Sequence, residues 1–377
     1  MTSFAFSYGP RLWAGEGALE RLAELIPPGR TLFVTDPGVR RLGLADAPLA
    51  ACADPVVFDQ VEADPSRDTL LACVEAGLAA NVTSVVGFGG GSPMDVAKLA
   101  AYLLGSGDDL DAIWGVGNAH GTRLPLFLIP TTAGTGSEAT PVAVITLPGD
   151  EKRGVSSPVL VPDHAILDPL LTLGLPRSIT AATGIDAMVH AIEAYTSRRL
   201  KNPLSDMLAR EALRLLSANL LRACDTPGDV AARGAMLLGA HLAGVAFANA
   251  PVGGVHALAY PIGARFHVPH GVSNLLMLEP VLRHNMSAAM PLYAELAPIL
   301  DPALGNVGAQ GAAAGFIDAL DRLAASTGVP RRLREVGVGD GDLDRLADDA
   351  MLQTRLLANN PATIDRADAR RLYAAAL

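Results

Sequence analysis

The sequence predicts an α/β domain with a mainly parallel sheet, followed by an all-α domain. In residues 1–173, short apolar segments such as 31–35 and 84–88 alternate with helical patterns, which is typical of βαβ units. Beyond Gly174-Leu175-Pro176, apolar residues recur with a period of 3.6 and no convincing strand pattern appears. We therefore expect two domains, 1–173 and 174–377, with the boundary at this break.

The elements follow from these periodicities. In the first domain we expect strands at 31–35, 56–58, 84–88, 126–130, 142–146 and 165–168, and helices at 18–25, 66–79 and 95–104. In the second domain we expect helices at 179–196, 203–219, 230–248, 271–283, 289–299, 307–327 and 342–357.

Composition limits the class of protein. The chain has 377 residues, of which half are apolar and 18% are charged, so it can bury a large core. Its net charge of −10 argues against binding to nucleic acid. The sequence has no run of eighteen apolar residues, so we expect no membrane span. The N-terminus lacks the pattern of a secretory signal, and Cys52, Cys73 and Cys224 form no CxxC pair. We therefore expect a cytoplasmic protein with reduced cysteines.

A glycine-rich segment, Gly89-Gly90-Gly91, follows a predicted strand and opens a predicted helix. Ser92 is a plausible N-cap, with Pro93 at the first helical position and Asp95 placed to close a capping box. Backbone N–H groups of such a loop can approach an anion at the helix N-terminus, so we expect a nucleotide pyrophosphate here. The alternative is a tight turn, which needs only one or two glycines. The segment is not the GxGxxG fingerprint of the standard Rossmann fold.

Two further loops can contact a nucleotide. Asp36 ends the first clear strand, where a carboxylate can accept from ribose hydroxyls and would repel a 2′-phosphate, which favours NAD over NADP. The alternative for Asp36 is a residue that turns the chain before Pro37. The second loop, 130–138, follows another strand and combines three threonines with two glycines, so it can hold phosphates or the nicotinamide end.

The strongest pattern for chemistry is a set of one carboxylate and three imidazoles. Asp186 and His190 lie four residues apart on a predicted helix, so both can face one ion. Taken alone, such a pair more often forms a surface contact, but this helix is apolar nearly all round and a buried carboxylate needs a partner. With His256 and His270 the set becomes N3O, which suits iron(II), zinc, nickel, cobalt or manganese rather than calcium or magnesium.

These motifs together resemble the iron-containing (group III) alcohol dehydrogenase family over nearly the whole chain. The motifs that carry the resemblance are 89–95, 130–138, 184–193, and His256 through Pro269-His270-Gly271. The resemblance implies a dehydroquinate synthase-like fold, with an N-terminal nucleotide-binding domain and a C-terminal helical domain. It also implies that Asp186, His190, His256 and His270 bind a metal, usually iron(II) and sometimes zinc.

The resemblance further implies where the cofactor binds. The residues implied for NAD(P) are Gly90, Gly91, Ser92, Asp95, Thr131, Thr132, Thr135 and Ser137. Lys152 looks like the cofactor-facing lysine of the family, and Leu171 is expected to line the cofactor cleft. Many members carry a second histidine four residues after the first cleft ligand, whereas this chain has Tyr260. Tyr260, His267 or a bound water is then left to move the proton.

The expected activity is reversible hydride transfer between NAD(H) and a small alcohol or its aldehyde or ketone. Close alternatives are a reductase similar to maleylacetate reductase, or one for phosphonate or hydroxyacid aldehydes. A lyase like dehydroquinate synthase would need several cations for its substrate, and segment 253–275 offers only Arg265. A protein that binds metal or nucleotide without catalysis is a further alternative. The resemblance also implies a homodimer or higher homo-oligomer.

Overall fold

The structure, a computed structural model, describes residues 3–149 and 151–377. The chain divides into two compact units. One contains residues 8–174, and the other contains residues 175–377 together with the first described residues up to Ser7.

The first unit is built on two sheets. Its strands are β1 (Arg11–Ala14), β2 (Thr31–Val34), β3 (Pro55–Phe58), β4 (Ser84–Gly89), β5 (Gly115–Val116), β6 (Leu126–Pro130), β7 (Val142–Leu147), β8 (Glu151–Ser156) and β9 (His164–Leu167). The larger sheet has six parallel strands in the order β1-β9-β6-β4-β2-β3, and its central strands β2, β4 and β6 are buried throughout. Burial on both faces explains why these strands are continuous apolar runs rather than alternating ones.

The strand order creates a switch point in the larger sheet. Strand β2 pairs with β3 on one side and with β4 on the other, and β4 then pairs with β6. The chain therefore moves outward from β2 to β3 and returns to the opposite side of β2. In open parallel sheets, ligands bind outside the carboxyl ends of the strands at such a point. Asp36 follows β2 there, and the glycine segment follows the body of β4.

Residues 142–146 form a strand as expected, but not in the main sheet. Strand β7 pairs antiparallel with β8, and β8 pairs with β5, which makes a separate three-stranded sheet. Strands β1, β5 and β8 were not predicted. The β8 sequence, Glu-Lys-Arg-Gly-Val-Ser, is mostly polar because its side chains are largely exposed or half-buried, so no apolar pattern marks it.

The helices of the first unit connect its strands. They are α1 (Leu22–Leu25), α2 (Pro37–Arg41), α3 (Asp46–Ala50), α4 (Arg67–Ala80) and α5 (Gly91–Ser106). Helix α5 begins earlier than predicted, with Gly90 as its N-cap and no side-chain cap. The capping box expected from Ser92 and Asp95 is therefore wrong, and the Asp95 carboxylate bonds to other elements.

Residues 175–377, all of which the structure describes, form helices and no strand. The α-helices are α6 (Arg177–Thr196), α7 (Pro203–Asp225), α8 (Val230–Asn249), α9 (Gly254–Phe266), α10 (His270–His284), α11 (Met286–Leu300), α12 (Ala309–Thr327), α13 (Leu343–Met351), α14 (Thr354–Leu357) and α15 (Arg366–Ala376). Helices α9 and α15 were not predicted, and the helix expected over 342–357 is interrupted between α13 and α14. Gly253-Gly254 and Pro261 conceal α9 because both normally break helices.

Helix α8 is the one described helix that is long and apolar enough to cross a membrane. Most of it is buried, and it packs against α6 and α7. Its composition is that of a core helix, since a helix apolar all round is stable when protein surrounds it.

Candidate active site

Helix α6 supplies the first two groups of the metal cluster. Asp186 and His190 lie one turn apart and are both buried. The Nε2 atom of His190 lies 3.9 Å from Asp186 Oδ1, and the His190 ring stacks on Phe247 of α8 with centroids 4.4 Å apart. The apolar helix therefore places both polar groups on one interior face.

Helices α9 and α10 bring the other two groups to the same point. His256 Nε2 lies 3.9 Å and His270 Nε2 lies 3.6 Å from Asp186 Oδ1. A close approach of α10 to α6 makes this possible. A Cβ at Gly271 would lie 2.2 Å from the carbonyl oxygen of Ala182, so only glycine fits there.

The four donor atoms fit one divalent ion. One atom from each of Asp186, His190, His256 and His270 lies within 4.8 Å of the other three. Two ligands about 2.1 Å from a shared ion can be at most about 4.2 Å apart, and the three distances from Asp186 satisfy that limit. The imidazole-rich set favours iron, zinc or a similar transition metal.

The charges of the groups also suit a cation. Although burial raises it, the neighbouring imidazoles and a hydrogen bond from Asn274 leave the pKa of Asp186 below its usual value. Burial, together with His190 and His270, holds the pKa of His256 well below its usual value. An ionised carboxylate beside a neutral imidazole is the state that metal binding requires.

Glu193 contacts the cluster, although no sequence motif assigned it a role. It lies on α6 one turn beyond His190 and is buried. Its Oε2 lies 2.6 Å from His256 Nδ1, and its Oε1 accepts from the backbone N–H of Val255 at 2.7 Å. Burial raises the pKa of Glu193 to about 7, although hydrogen bonds from Val255 and Gly253 oppose the rise.

Asparagines support the remaining sides of the cluster. Asn274 of α10 donates to Asp186 Oδ1 at 2.6 Å, and its Nδ2 lies 3.2 Å from the Nε2 atoms of both His256 and His270.

The first turn of α9 is held by two asparagines that lie about 100 residues further along the chain. Asn360 Oδ1 accepts from Gly254 N at 3.1 Å, and Asn359 donates to the Val252 carbonyl at 3.1 Å.

The cluster is accessible on the side of His270, whose side chain is 32% exposed while the other three are nearly covered. Tyr260 lies on this side, with its ring centroid 5.7 Å from that of His270 and 6.4 Å from that of His256. His267 is exposed at the C-terminal end of α9, in the left-handed conformation with φ of 53°. Of the two candidate proton carriers, Tyr260 is the one with ring contacts to the cluster.

The second group of predicted residues lies at the carboxyl ends of β4 and β6. Gly89 has φ of 145°, a conformation that favours glycine. A Cβ at Gly91 would lie 2.8 Å from Thr135 Cγ2, and one at Gly90 would lie 3.7 Å from Thr132 Oγ1. The glycine loop thus packs closely against loop 130–138.

Asp36 caps a helix and also lies beside the glycine loop, the two positions that its two predicted roles require. Its Oδ1 accepts from the N–H groups of Gly38 and Val39, so it caps helix α2. Its Oδ2 lies 3.0 Å from the position of a Cβ on Gly89. The carboxylate therefore turns the chain and also stands directly beside the glycine loop.

Asp95 of α5 joins the helix to loop 130–138 and to strand β7. Ser137 Oγ donates to Asp95 Oδ1 at 2.6 Å, and Val144 N donates to Asp95 Oδ2 at 2.9 Å. Below them, the fully buried Lys98 donates to the carbonyl of Val142 at 2.8 Å. Burial lowers the pKa of Lys98 to about 8, although Asp95 and Glu138 oppose the shift.

Ser92 and three other predicted cofactor residues lie in different settings. Ser92, in the first turn of α5, is half-buried, and Thr131 N donates to the Gly89 carbonyl at 2.9 Å. Lys152 of β8 binds Asp64 through a 2.6 Å ion pair. Leu171 is buried in the apolar cluster that contains Phe33 and Phe88.

Comparison with known proteins identifies the family. Residues 9–169 match the model for iron-containing alcohol dehydrogenase, and residues 180–377 match the C-terminal model of the same family. The chain belongs to the iron-containing alcohol dehydrogenase family. Membership confirms the resemblance read from the sequence motifs and the dehydroquinate synthase-like fold.

Alignments with relatives of this iron-containing alcohol dehydrogenase extend over nearly its whole length. Long-chain-alcohol dehydrogenase 1 of Geobacillus thermodenitrificans is 38% identical over 98% of this chain and 95% of its own length. A crystal structure of 1,3-propanediol oxidoreductase matches with a TM-score of 0.96 at 32% identity, covering 100% of both chains. The sulfoacetaldehyde reductase of Bifidobacterium kashiwanohense, solved in complex with NAD+, matches with a TM-score of 0.89 at 27% identity, covering 100% and 99%.

Membership also settles the general chemistry. The protein is an oxidoreductase of the alcohol dehydrogenase type, and the family uses a divalent metal, typically iron, together with NAD. The cluster on α6, α9 and α10 has the donor set that such a metal needs.

Proposed function

We propose that this enzyme transfers hydride reversibly between NAD(H) and a small uncharged alcohol or its aldehyde or ketone. The ion is held by Asp186, His190, His256 and His270, and is iron(II) with zinc as the alternative. The observation that carries the proposal is the convergence of these four donor atoms within 4.8 Å in a family of alcohol dehydrogenases. We also propose that the two compact units are the nucleotide-binding and catalytic domains predicted at 1–173 and 174–377.

The chain's own groups define how a substrate is handled. When bound, the divalent ion supplies a Lewis acid that polarises the substrate oxygen. His270 and Tyr260 border the accessible side of the cluster, so the substrate enters past these two rings. The buried His190 and His256 rings cover the opposite side and exclude water from it. The protein thus orients the substrate, while the nicotinamide accepts or donates the hydride.

The cofactor is proposed to bind at the switch point of the larger sheet. The pyrophosphate lies on the backbone of Gly90, Gly91 and Ser92 at the start of α5, where N–H groups and the helix dipole favour an anion. Thr131, Thr132 and Thr135 line the facing loop. Asp95 and Ser137 bind each other, so we assign them to holding the loops rather than to contacting the cofactor. The cofactor roles of Lys152 and Leu171 stay predictions.

Cofactor choice tests the role of Asp36. We expect kcat/KM to be higher with NADH than with NADPH, since a carboxylate beside the glycine loop repels a 2′-phosphate. Asp36→Asn removes the charge but keeps the cap of α2, because asparagine caps as well as aspartate. The ratio of NADPH to NADH efficiency should rise at least about tenfold, or about 1.4 kcal/mol. Equal efficiencies in the unmodified enzyme would contradict this role.

Proton transfer is proposed to use the Tyr260 hydroxyl, with His267 as the second candidate. Tyr260→Phe keeps the ring and removes the hydroxyl, so kcat should fall about 100-fold while metal content stays unchanged. His267→Gln should leave kcat within about twofold. A full rate in Tyr260→Phe with a loss in His267→Gln would transfer the role to His267. Full rates in both variants would leave the step to a bound water.

The lack of an unpaired lysine or arginine in segment 253–275 favours an uncharged substrate. Arg265 is the one lysine or arginine in segment 253–275, and Asp349 already binds it in an ion pair. A phosphorylated or carboxylated substrate would lack a free cation from this segment. This observation favours alcohol oxidation over three alternatives: a maleylacetate reductase-like activity, a phosphonate or hydroxyacid aldehyde reductase, and a dehydroquinate synthase-like lyase.

A substrate panel tests the proposal. The metal content of the enzyme is measured first. The enzyme is then assayed with a long-chain primary alcohol and 1,3-propanediol in the presence of NAD+, and with sulfoacetaldehyde in the presence of NADH. We expect higher kcat/KM for an uncharged substrate than for the sulfonated aldehyde. Preference for the sulfonate would reverse the assignment, and absence of NADH formation with every alcohol would refute dehydrogenase activity.

The remaining properties are proposed from the family and from composition. We propose a cytoplasmic homodimer or higher homo-oligomer whose partners are small molecules, without nucleic acid or membrane. The net charge of −10 supports the exclusion of nucleic acid. Sedimentation of the purified protein determines the oligomeric state.

A further inference from the structure

Glu193 lies on the same stripe of α6 as two of the proposed metal ligands. The positions 186, 190 and 193 are spaced i, i+4 and i+7, so they share one helix face. Asp186 and His190 reach the cluster, whereas the Glu193 carboxylate reaches the first turn of α9. One buried helix therefore holds two ligands directly and contacts a third ligand, His256, through Glu193.

The contact of Glu193 with α9 is made at two points. Oε2 bonds to the ring of His256 at Nδ1, and Oε1 accepts from the backbone N–H of Val255. Gly253, the N-cap of α9, has no side chain to cap the helix. Glu193 on another helix supplies an acceptor for Val255 N, and Asn360 supplies one for Gly254 N. Because ring and backbone are held by one carboxylate, the ring cannot turn independently of its helix.

The Nδ1 contact also decides which nitrogen of His256 faces the cluster. Nδ1 points to Glu193, and Nε2 lies 3.9 Å from Asp186 Oδ1 on the opposite side of the ring. A neutral imidazole carries one proton, and a carboxylate acceptor favours its placement on Nδ1. The Nε2 lone pair then faces the cluster, where Asn274 Nδ2 lies 3.2 Å away and where an ion can be bound.

We propose that Glu193 is a positioning residue of the metal centre, which fixes His256 in the Nδ1–H form and directs its Nε2 at the ion. This inference rests on the proposed ligand set. Carboxylates that hold a metal-binding histidine in this way usually change metal affinity by about 10- to 100-fold when they are removed.

Glu193→Gln separates positioning of the ligand from capping of the helix. The glutamine oxygen can still accept from Val255 N, but the amide nitrogen then faces His256 Nδ1 and donates to it. That contact favours the proton on Nε2, where it blocks the ion. We therefore expect the bound metal to transfer to a chelator about 10- to 100-fold faster than from the unmodified enzyme. The melting temperature of the metal-free protein should change little.

Glu295→Gln is the control. Glu295 of α11 accepts from the hydroxyl of Tyr195 on α6 and contacts none of the four ligands. It makes the same chemical change at a bond to the same helix, so its metal release rate should equal that of the unmodified enzyme. A Glu193→Gln variant that releases metal at the unmodified rate would overturn the proposal and leave Glu193 as a helix cap only.

A spectroscopic measurement on the unmodified enzyme does not depend on the variant folding. In the cobalt(II)-loaded protein, the Nδ1–H of His256 should give a hyperfine-shifted proton resonance that exchanges slowly with water, because the proton is buried against Glu193. Absence of such a resonance while cobalt is bound would overturn the proposal. Failure of the unmodified enzyme to bind any divalent metal would instead refute the ligand set itself.

Discussion

Replacing His256 with alanine is expected to remove the bound ion and to lower kcat by about 1000-fold or more. His256 is one of the four proposed ligands, and a bound divalent ion typically contributes several kcal/mol to stabilisation of charge in the transition state. The change also leaves the buried Glu193 without its imidazole partner, so some stability should be lost. Metal content after dialysis, kcat with NADH and far-ultraviolet circular dichroism measure the three effects.

His284→Ala is the matched control for this experiment. His284 is a histidine at the end of α10 whose ring contacts the carbonyl of Thr363, outside the cluster. It should retain both metal and activity. A folded His256→Ala variant that turns over normally without metal would contradict a catalytic role for the ion. A variant that keeps its metal would remove His256 from the ligand set.

Replacing Gly271 with alanine is expected to lower the free energy of unfolding by roughly 1–3 kcal/mol and to weaken metal binding. The new Cβ would lie 2.2 Å from the carbonyl oxygen and 2.7 Å from the carbonyl carbon of Ala182. Both are backbone atoms, so α6 and α10 must separate. His270 and Asp186 belong to these two helices, and separating the helices pulls the two donors apart. Urea unfolding of the metal-free protein and metal titration measure the two changes.

Gly311→Ala is the control for Gly271→Ala. It tests whether the loss of stability and of metal binding comes from the position of Gly271 or from any change of glycine to alanine in a helix. A Cβ at Gly311 of α12 would meet its nearest neighbour, Val307 Cγ2, at 3.6 Å, an ordinary contact. An alanine in a helix there should stabilise the protein by roughly 0.5–1 kcal/mol and leave metal binding unchanged. If both alanines behaved alike, the close approach of α10 to α6 would not be needed for the site.

Local patterns in the sequence were sufficient for part of this site. The spacing of Asp186 and His190 on an apolar helix predicted a shared face, and the structure has both side chains there. His256 and His270 lie on other helices, where no local period relates them to Asp186. Their residue type made them candidate ligands, and the family motifs, rather than periodicity, supported their assignment. Helix α9 was missed even though His256 lies in it, because its glycines and proline resemble a loop.

Two features could not be predicted because they depend on tertiary contacts: the start of α5 and the contact of Glu193 with α9. Ser92 looked like the N-cap of α5, but the helix begins at Gly91 and the Asp95 carboxylate bonds to Ser137 instead. Glu193 was overlooked, although a lone carboxylate on an apolar stripe with Asp186 and His190 was visible in the sequence. Its partner, the first turn of α9, could not be inferred without the fold.

The asparagines near the end of the chain have a consequence for biosynthesis. Asn360 holds the N–H of Gly254, and it exchanges two amide hydrogen bonds with Asn285 at the end of α10. During translation the four proposed metal ligands leave the ribosome before this residue does, because they precede it in the chain. The first turn of α9 therefore has its contact with Glu193, but not the one with Asn360, until residue 360 has been synthesised. We therefore expect a chain that stops short of Asn360 to bind the metal less tightly than the full chain, because α9 carries His256.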